Sequence, residues 1–330
     1  MNILKQLFAI TVLVLVGAPS QAESLLETFG SGASAFSIEF VTIGDEGNAA
    51  DTTGFGSVNY SYKLGKYEIS REAIDKANFS GGLGITLQDY SYLPNGNGLL
   101  KPASGISWFE AAKFVNYLNI SKNYQAAYNF DENGNFQVWG SDQYSGNNQF
   151  RHKNAYYFLP STDEWYKGAY YDPNKAEGGG YWKYSTRSDT APTPVNEGTD
   201  QGTAVYSDRS TGPADIYNAG GLSAYGTMAQ GGNVWEWSES AYDGVNDNLA
   251  DGIAVNPVPD GRDRLGGTWE LVPPFLVTAS LEAGYRSGND PSDESGSSFG
   301  FRVASVPEPS AVSLLAVGLG VVLRQRRRTV

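Results

Sequence analysis

The chain has 330 residues, 40 glycines, 21 tyrosines, one histidine, no cysteine and a net charge of −13. That length supplies a sizeable core for one large domain or two ordinary ones. Without cysteine there are no disulfides, thiolate metal sites or thiol nucleophiles, a single histidine excludes a three-histidine metal centre, and the acidic balance excludes nucleic acid, whose phosphates require excess Lys and Arg.

The N-terminus carries one early positive charge at Lys5, an apolar run over residues 7–17, and small residues at Ser20 and Ala22. This pattern reads as a secretory signal peptide over 1–22, cut by signal peptidase after Ala22. The mature body, 23–305, has no Ser/Pro-rich linker, charge run or internal repeat, so it is expected to form one domain. Residues 38–43 alternate like an edge strand. Residues 59–69 alternate again, placing Tyr60, Tyr62 and Leu64 on one face, and Ser70 is placed to cap a helix beginning at Arg71.

The clearest helix is expected over 108–118, capped by Ser107, with an apolar stripe of Phe109, Ala112, Val115 and Leu118 flanked by Trp108 and Ala111. A second opens at Ser161, where Ser161-Thr162-Asp163-Glu164 has the form of a capping box and Trp165 begins the buried face. From about 171 onward the chain is rich in Gly, Asn, Asp, Ser and Tyr. That composition specifies little locally, so tertiary contacts or bound ions must order it.

At the C-terminus, Val306-Pro307-Glu308-Pro309 precedes an apolar run over 311–323, and Arg324, Arg326, Arg327 and Arg328 follow. Thirteen apolar residues are marginal for a full membrane span, and the arginines orient the body outward. The segment 306–330 resembles the PEP-CTERM sorting tail. That resemblance implies an exosortase partner, transient anchoring by the apolar run, removal of the tail, and delivery to the cell surface or extracellular matrix.

Several strings, in order, carry a second resemblance. They are Lys63-Leu64-Gly65-Lys66-Tyr67-Glu68-Ile69-Ser70; Ile106-Ser107-Trp108-Phe109-Glu110-Ala111; Phe158-Leu159-Pro160-Ser161-Thr162-Asp163-Glu164-Trp165; Gly232-Asn233-Val234-Trp235-Glu236-Trp237; Arg264-Leu265-Gly266-Gly267-Thr268-Trp269; and Gly300-Phe301-Arg302-Val303. Together they resemble the formylglycine-generating-enzyme (sulfatase-modifying-factor) family across about residues 38–304, with Phe158 where that family usually has Arg. The resemblance implies an irregular α/β (α+β) fold related to C-type lectin domains, with two main helices, short antiparallel strands and long loops.

It also implies chemistry that this chain departs from. The family's oxidase binds copper through two cysteines shortly after the Gly-Gly-Ser-Trp-like strand, where this chain has 270–276 without either. Related sulfoxide synthases need three histidines for iron, so neither copper nor iron is expected. The family also implies a structural calcium held by the carbonyls of Gly232 and Val234 and the carboxylate of Glu236, although Ala229 stands where an Asn or Asp usually contributes. Asp208 and Asp215 are candidates for a second calcium.

Two functions compete. One is a binding protein of the surface or matrix, presenting aromatic loops (Tyr170-Tyr171, 181–184, Trp269) to extracellular polysaccharide, since aromatic rings stack on sugars. The other is an enzyme: a carboxylate centre drawn from Asp163, Glu164, Glu236 and Asp243, or formylglycine-type modification of a protein substrate. His152 is the sole candidate for a histidine base.

Overall fold

The computed structural model describes residues 24–176, 178–207, 210–242, 261–271, 278–292 and 298–306. The expected signal peptide, the apolar run and arginines of the tail, Asp208, Asp243 and most of the 270–276 stretch lie outside these. No helix among the described residues is long and apolar enough to cross a membrane.

Two sheets organise the domain. The first contains β1 (Ser24–Phe29), β2 (Phe36–Ile43), β3 (Tyr62–Gly65), β4 (Tyr157–Phe158) and, from the far end of the chain, β9 (Ala304–Ser305). Their order is β1-β2-β3-β9-β4, antiparallel throughout, with Ala304 opposite both Leu64 and Phe158. The second contains β5 (Trp235–Ala241), β6 (Arg262–Leu265), β7 (Ser287–Asn289) and β8 (Phe299–Gly300), in the order β7-β6-β5-β8. Only the β5–β8 pair in that sheet is parallel.

The reading of 38–43 as an edge strand is corrected: β2 is interior, and the edge is β1, directly after the expected cleavage site. Phe36, Ile38, Phe40 and Ile43 are buried on β2 while Ser37 and Thr42 are exposed, so the alternation was genuine. It reports a half-buried face and is silent about which strand lies alongside.

Among the described residues three α-helices are present, the two main ones expected and the one that Ser70 opens: α1 (Arg71–Gly81), α2 (Trp108–Ser121) and α3 (Thr162–Tyr170). Each begins at the expected serine. Ser70 accepts from the Ala73 amide, and Ser107 and Ser161 form reciprocal capping boxes with Glu110 and Glu164. α2 buries Trp108, Ala111, Ala112, Val115, Leu118 and Asn119, a 3-4 pattern that leaves Phe109 on the flank. Its Asn119 amide donates to the Tyr157 carbonyl at 2.8 Å and its oxygen accepts from the Tyr156 and Tyr157 amides, fastening β4 to the helix.

The main core lies between α1, α2 and the first sheet, and the indoles of Trp108 and Trp237 tie α2 to β5 through the carbonyls of Ser238 and Ile106. Gly232 adopts φ 103°, and a Cβ there would collide with the Val205 carbonyl, so only glycine permits this approach.

Candidate functional site: a groove beside a buried charge cluster

Glu236 sits on β5 between two buried tryptophans, and Arg302 lies just before β9. Both side chains are fully buried, and the Arg302 Nε and one terminal nitrogen bind the two Glu236 oxygens at 2.5 Å each. The Trp165 indole donates to the same carboxylate at 2.7 Å. Arg302 also reaches the carbonyls of Gly65, Lys66 and Met228 at 2.8, 3.3 and 2.8 Å, occupying its five N–H donors. Asn233 and the Val234 amide donate to Glu68, whose carboxyl is raised well above the usual range, by burial first and by the charge of Glu236 second.

This arrangement does not fit a calcium ion on Gly232, Val234 and Glu236. Both carboxylate oxygens already receive a guanidinium, and a divalent cation there would lie against a buried positive charge. Asp215, expected at a second calcium site, pairs with Lys101 at 2.8 Å. Among the described residues no cluster of three His, Asp or Glu side chains is arranged to hold a metal.

A groove of about 560 Å³ opens on the other side of α3, lined by Asn59, Tyr60, Asn148, Arg151, His152 and Phe158 among others. Arg151 forms its floor. Its guanidinium stacks 3.8 Å above the Phe158 ring and meets Glu164 at 3.6 Å and Glu239 at 3.1 Å. The family's usual arginine position is occupied by Phe158, and Arg151 supplies a guanidinium over that ring from the preceding loop. Burial alone would lower its pKa, but Glu239 and Glu164 outweigh that and hold it raised. Glu239 also accepts from Tyr128 at 2.9 Å and Asn148 at 2.5 Å.

Asn59 and Tyr60, which also line the groove, belong to a strap over residues 44–61. Lys167, buried on α3 with its pKa lowered to about 8 by burial, donates to the carbonyls of Asp45 and Val58. Asp163 accepts from the Gly56 amide at 2.7 Å. Tyr60 lies near the end of the strap: the residue is 45% exposed while its hydroxyl reaches inward to Glu164 at 2.7 Å.

His152, the sole histidine, is 8% exposed and lines the groove. Burial and the neighbouring Lys153 lower its pKa, so it is neutral at pH 7. Its Nδ1 accepts from the Asn154 amide at 3.1 Å, which leaves the proton on Nε2.

The strings spaced along the chain thus converge on one scaffold, and the family comparison agrees. The sulfatase-modifying factor enzyme 1-like domain matches residues 57–306. The chain belongs to that family. Among solved structures, the sulfatase-modifying-factor fold recurs in Treponema denticola variable protein 1, with TM-score 0.56 and 19% identity over 86% of this chain and 99% of that one. CarF gives 0.53 and 16% over 82% and 99% respectively. At such identities the likeness concerns the fold alone. No curated protein matches the chain significantly.

The sequence-derived sites are therefore redistributed. Of the carboxylates considered for a replaced centre, Glu164 is committed to Ser161, Tyr60 and Arg151, Glu236 to Arg302 and Trp165, and Asp163 to the strap. Of the aromatic loops considered for sugar, Tyr170, Tyr171, Tyr184 and Trp269 are buried in the core. Trp182 is half-buried, with Lys175 over its ring at 4.1 Å. Tyr60 is an exposed residue beside the groove. Its signal was the short Asn-Tyr-Ser-Tyr string, read as uniform strand although the ladder begins only at Tyr62.

Proposed function

We propose that this is an exported surface or extracellular-matrix protein that uses the sulfatase-modifying-factor scaffold to bind extracellular polysaccharide, without the family's copper oxidase chemistry. Signal peptidase and an exosortase would process its two ends. The observation that carries the reading is the groove around Tyr60: an open cavity with an anchored aromatic ring, flanked by amides, hydroxyls and a neutral histidine, the mixture that fits a sugar's apolar face and hydroxyl rim. The chain supplies no thiol for soft-metal ligation, and the carboxylates of the described site are engaged in holding the fold.

A glycan array probed with the purified protein tests this. Saturable binding that Tyr60→Ala weakens on the order of tenfold supports it, whereas carbohydrate turnover, or binding indifferent to Tyr60, counts against it. Incubation with copper and a cysteine-containing sulfatase peptide should leave the peptide mass unchanged; aldehyde formation above an enzyme-free control would restore the oxidase alternative.

A further inference from the structure

The groove continues past Tyr60. A second lobe of about 290 Å³ is lined by Ser57, Val58, Asn59, Tyr60, Ser161 and Asp163. Asn59, Tyr60 and Ser161 line both lobes, which places Tyr60 at their junction. Its hydroxyl is fixed by Glu164, and its ring meets Tyr62 edge-on at 6.1 Å between centroids. A ring held at both ends loses little freedom when something stacks upon it.

The two lobes carry charges of opposite sign. Arg151 faces the carboxylates of Glu164 and Glu239, and the Lys153 ammonium donates to the Asp142 carbonyl. The smaller lobe contains the Asp163 carboxylate. An anionic ligand would meet the Asp163 carboxylate in the smaller lobe, and a cationic one would meet Arg151 and Lys153 in the larger. What remains are neutral groups: the Asn59 amide and the His152 Nε2–H, which have no hydrogen-bond partner among the described residues, and the hydroxyls of Ser57 and Ser145.

We propose that the two lobes are contiguous subsites for an uncharged linear polysaccharide, with one sugar ring stacked on Tyr60 and its neighbours in the lobes on either side. This rests on the polysaccharide-binding reading above and adds chain length and charge to it. A single sugar could fill one lobe only, so affinity must grow with length until both are filled.

The test is calorimetric titration of the purified protein with cello-, xylo- and chito-oligosaccharides, from mono- to hexasaccharide, against oligogalacturonates and chitosan oligomers as charged counterparts. At least one neutral series should gain affinity from the monosaccharide to an intermediate length and then level off, with the charged counterparts weaker. Tyr60→Ala should weaken that series on the order of tenfold, the loss of one stacked ring, while Tyr60→Phe, which keeps the ring, retains binding. Ser57→Trp, which fills the smaller lobe, should reduce long oligomers to the affinity of short ones and leave short ones unchanged. Equal affinity for mono- and hexasaccharide, preference for the oligogalacturonates or chitosan, or an unaltered length dependence in Ser57→Trp overturns the two-subsite proposal while leaving carbohydrate binding intact. Binding to no glycan of any kind overturns both readings.

Discussion

Replacing Arg302 by Met removes the cation from a site where nothing can take its place. Glu236 would remain fully buried with only the Trp165 indole as donor, Glu68 would lose its nearest compensating charge, and the carbonyls of Gly65, Lys66 and Met228 would each lose a partner. Breaking a buried ion pair from one side costs about 3–5 kcal/mol, and the hydrogen bonds lost at these carbonyls add to that. With about 2–4 °C per kcal/mol for a domain approaching this size, the melting temperature should fall by roughly 10 °C or more. Circular dichroism melts of wild type and Arg302→Met, with and without chelator, measure it. Glu236→Leu combined with Arg302→Met should recover part of the loss, because an apolar pair leaves no uncompensated charge. Chelator should leave the wild type unchanged. A loss under about 1 kcal/mol for Arg302→Met would refute the central role of the pair. A chelator-induced fall in wild type that Glu236→Gln abolishes would return calcium to that carboxylate.

Three further outcomes follow from the same geometry. Because the folded pKa of Glu68 is raised, its stabilising contribution is complete below the ordinary carboxylate range and is lost as pH climbs through the raised value; melting temperature should therefore decline with rising pH more steeply in wild type than in Glu68→Gln, and parallel curves would contradict this. Arg151→Met leaves Glu164 and Glu239 uncompensated and should cost about 3 kcal/mol in urea unfolding, part of which Phe158→Arg should restore by returning a guanidinium to the family's usual position. Failure of that double variant to exceed the single one would show that the two sites are not equivalent. Ser107→Ala removes one half of a capping box and should cost about 1 kcal/mol, read from the same urea midpoints; a neutral result would mean that α2 is held by its packing alone.

The parts of the fold readable from sequence were those governed by local chemistry. Ser70, Ser107 and Ser161 announced their helices because a capping hydroxyl acts within three residues of itself. α1 was seen at its start, yet its standing beside the other two was underrated, because an 11-residue amphipathic segment gains its stability from packing partners that no window of sequence contains. The position of β2 inside the sheet was hidden for a similar reason: its neighbours are set by β1 and β3, and an alternating face is the same at an edge or within. At the site, Glu236 is singled out by its motif as a ligand or a carboxylate of a replaced centre, whereas its partner is not. Arg302 is 66 residues away and appeared only as part of a closing string. Arg151 carried no motif at all, and the one available hint was the unexpected Phe158 seven positions on. Tyr60 shares a face with Tyr62 as expected, both hydroxyls reaching Glu164, but it lies before the ladder begins, which alternation alone does not reveal.

The position of β9 in the first sheet bears on when this protein can become itself. β3 and β4 do not touch as a ladder; they are joined only through Ala304–Ser305, and the guanidinium that settles the charges of Glu68 and Glu236 arrives two residues earlier. A nascent chain lacking its last described residues has β3 as an open sheet edge and two acidic side chains with no cation to enclose, so the native state cannot be reached domain-first during synthesis. Pairings that join residues 62–65 and 157–158 to 304–305 are also among the most distant in the sequence, which favours slow closure. Closure of the first sheet and of the buried charge cluster therefore both wait on residues 302–305.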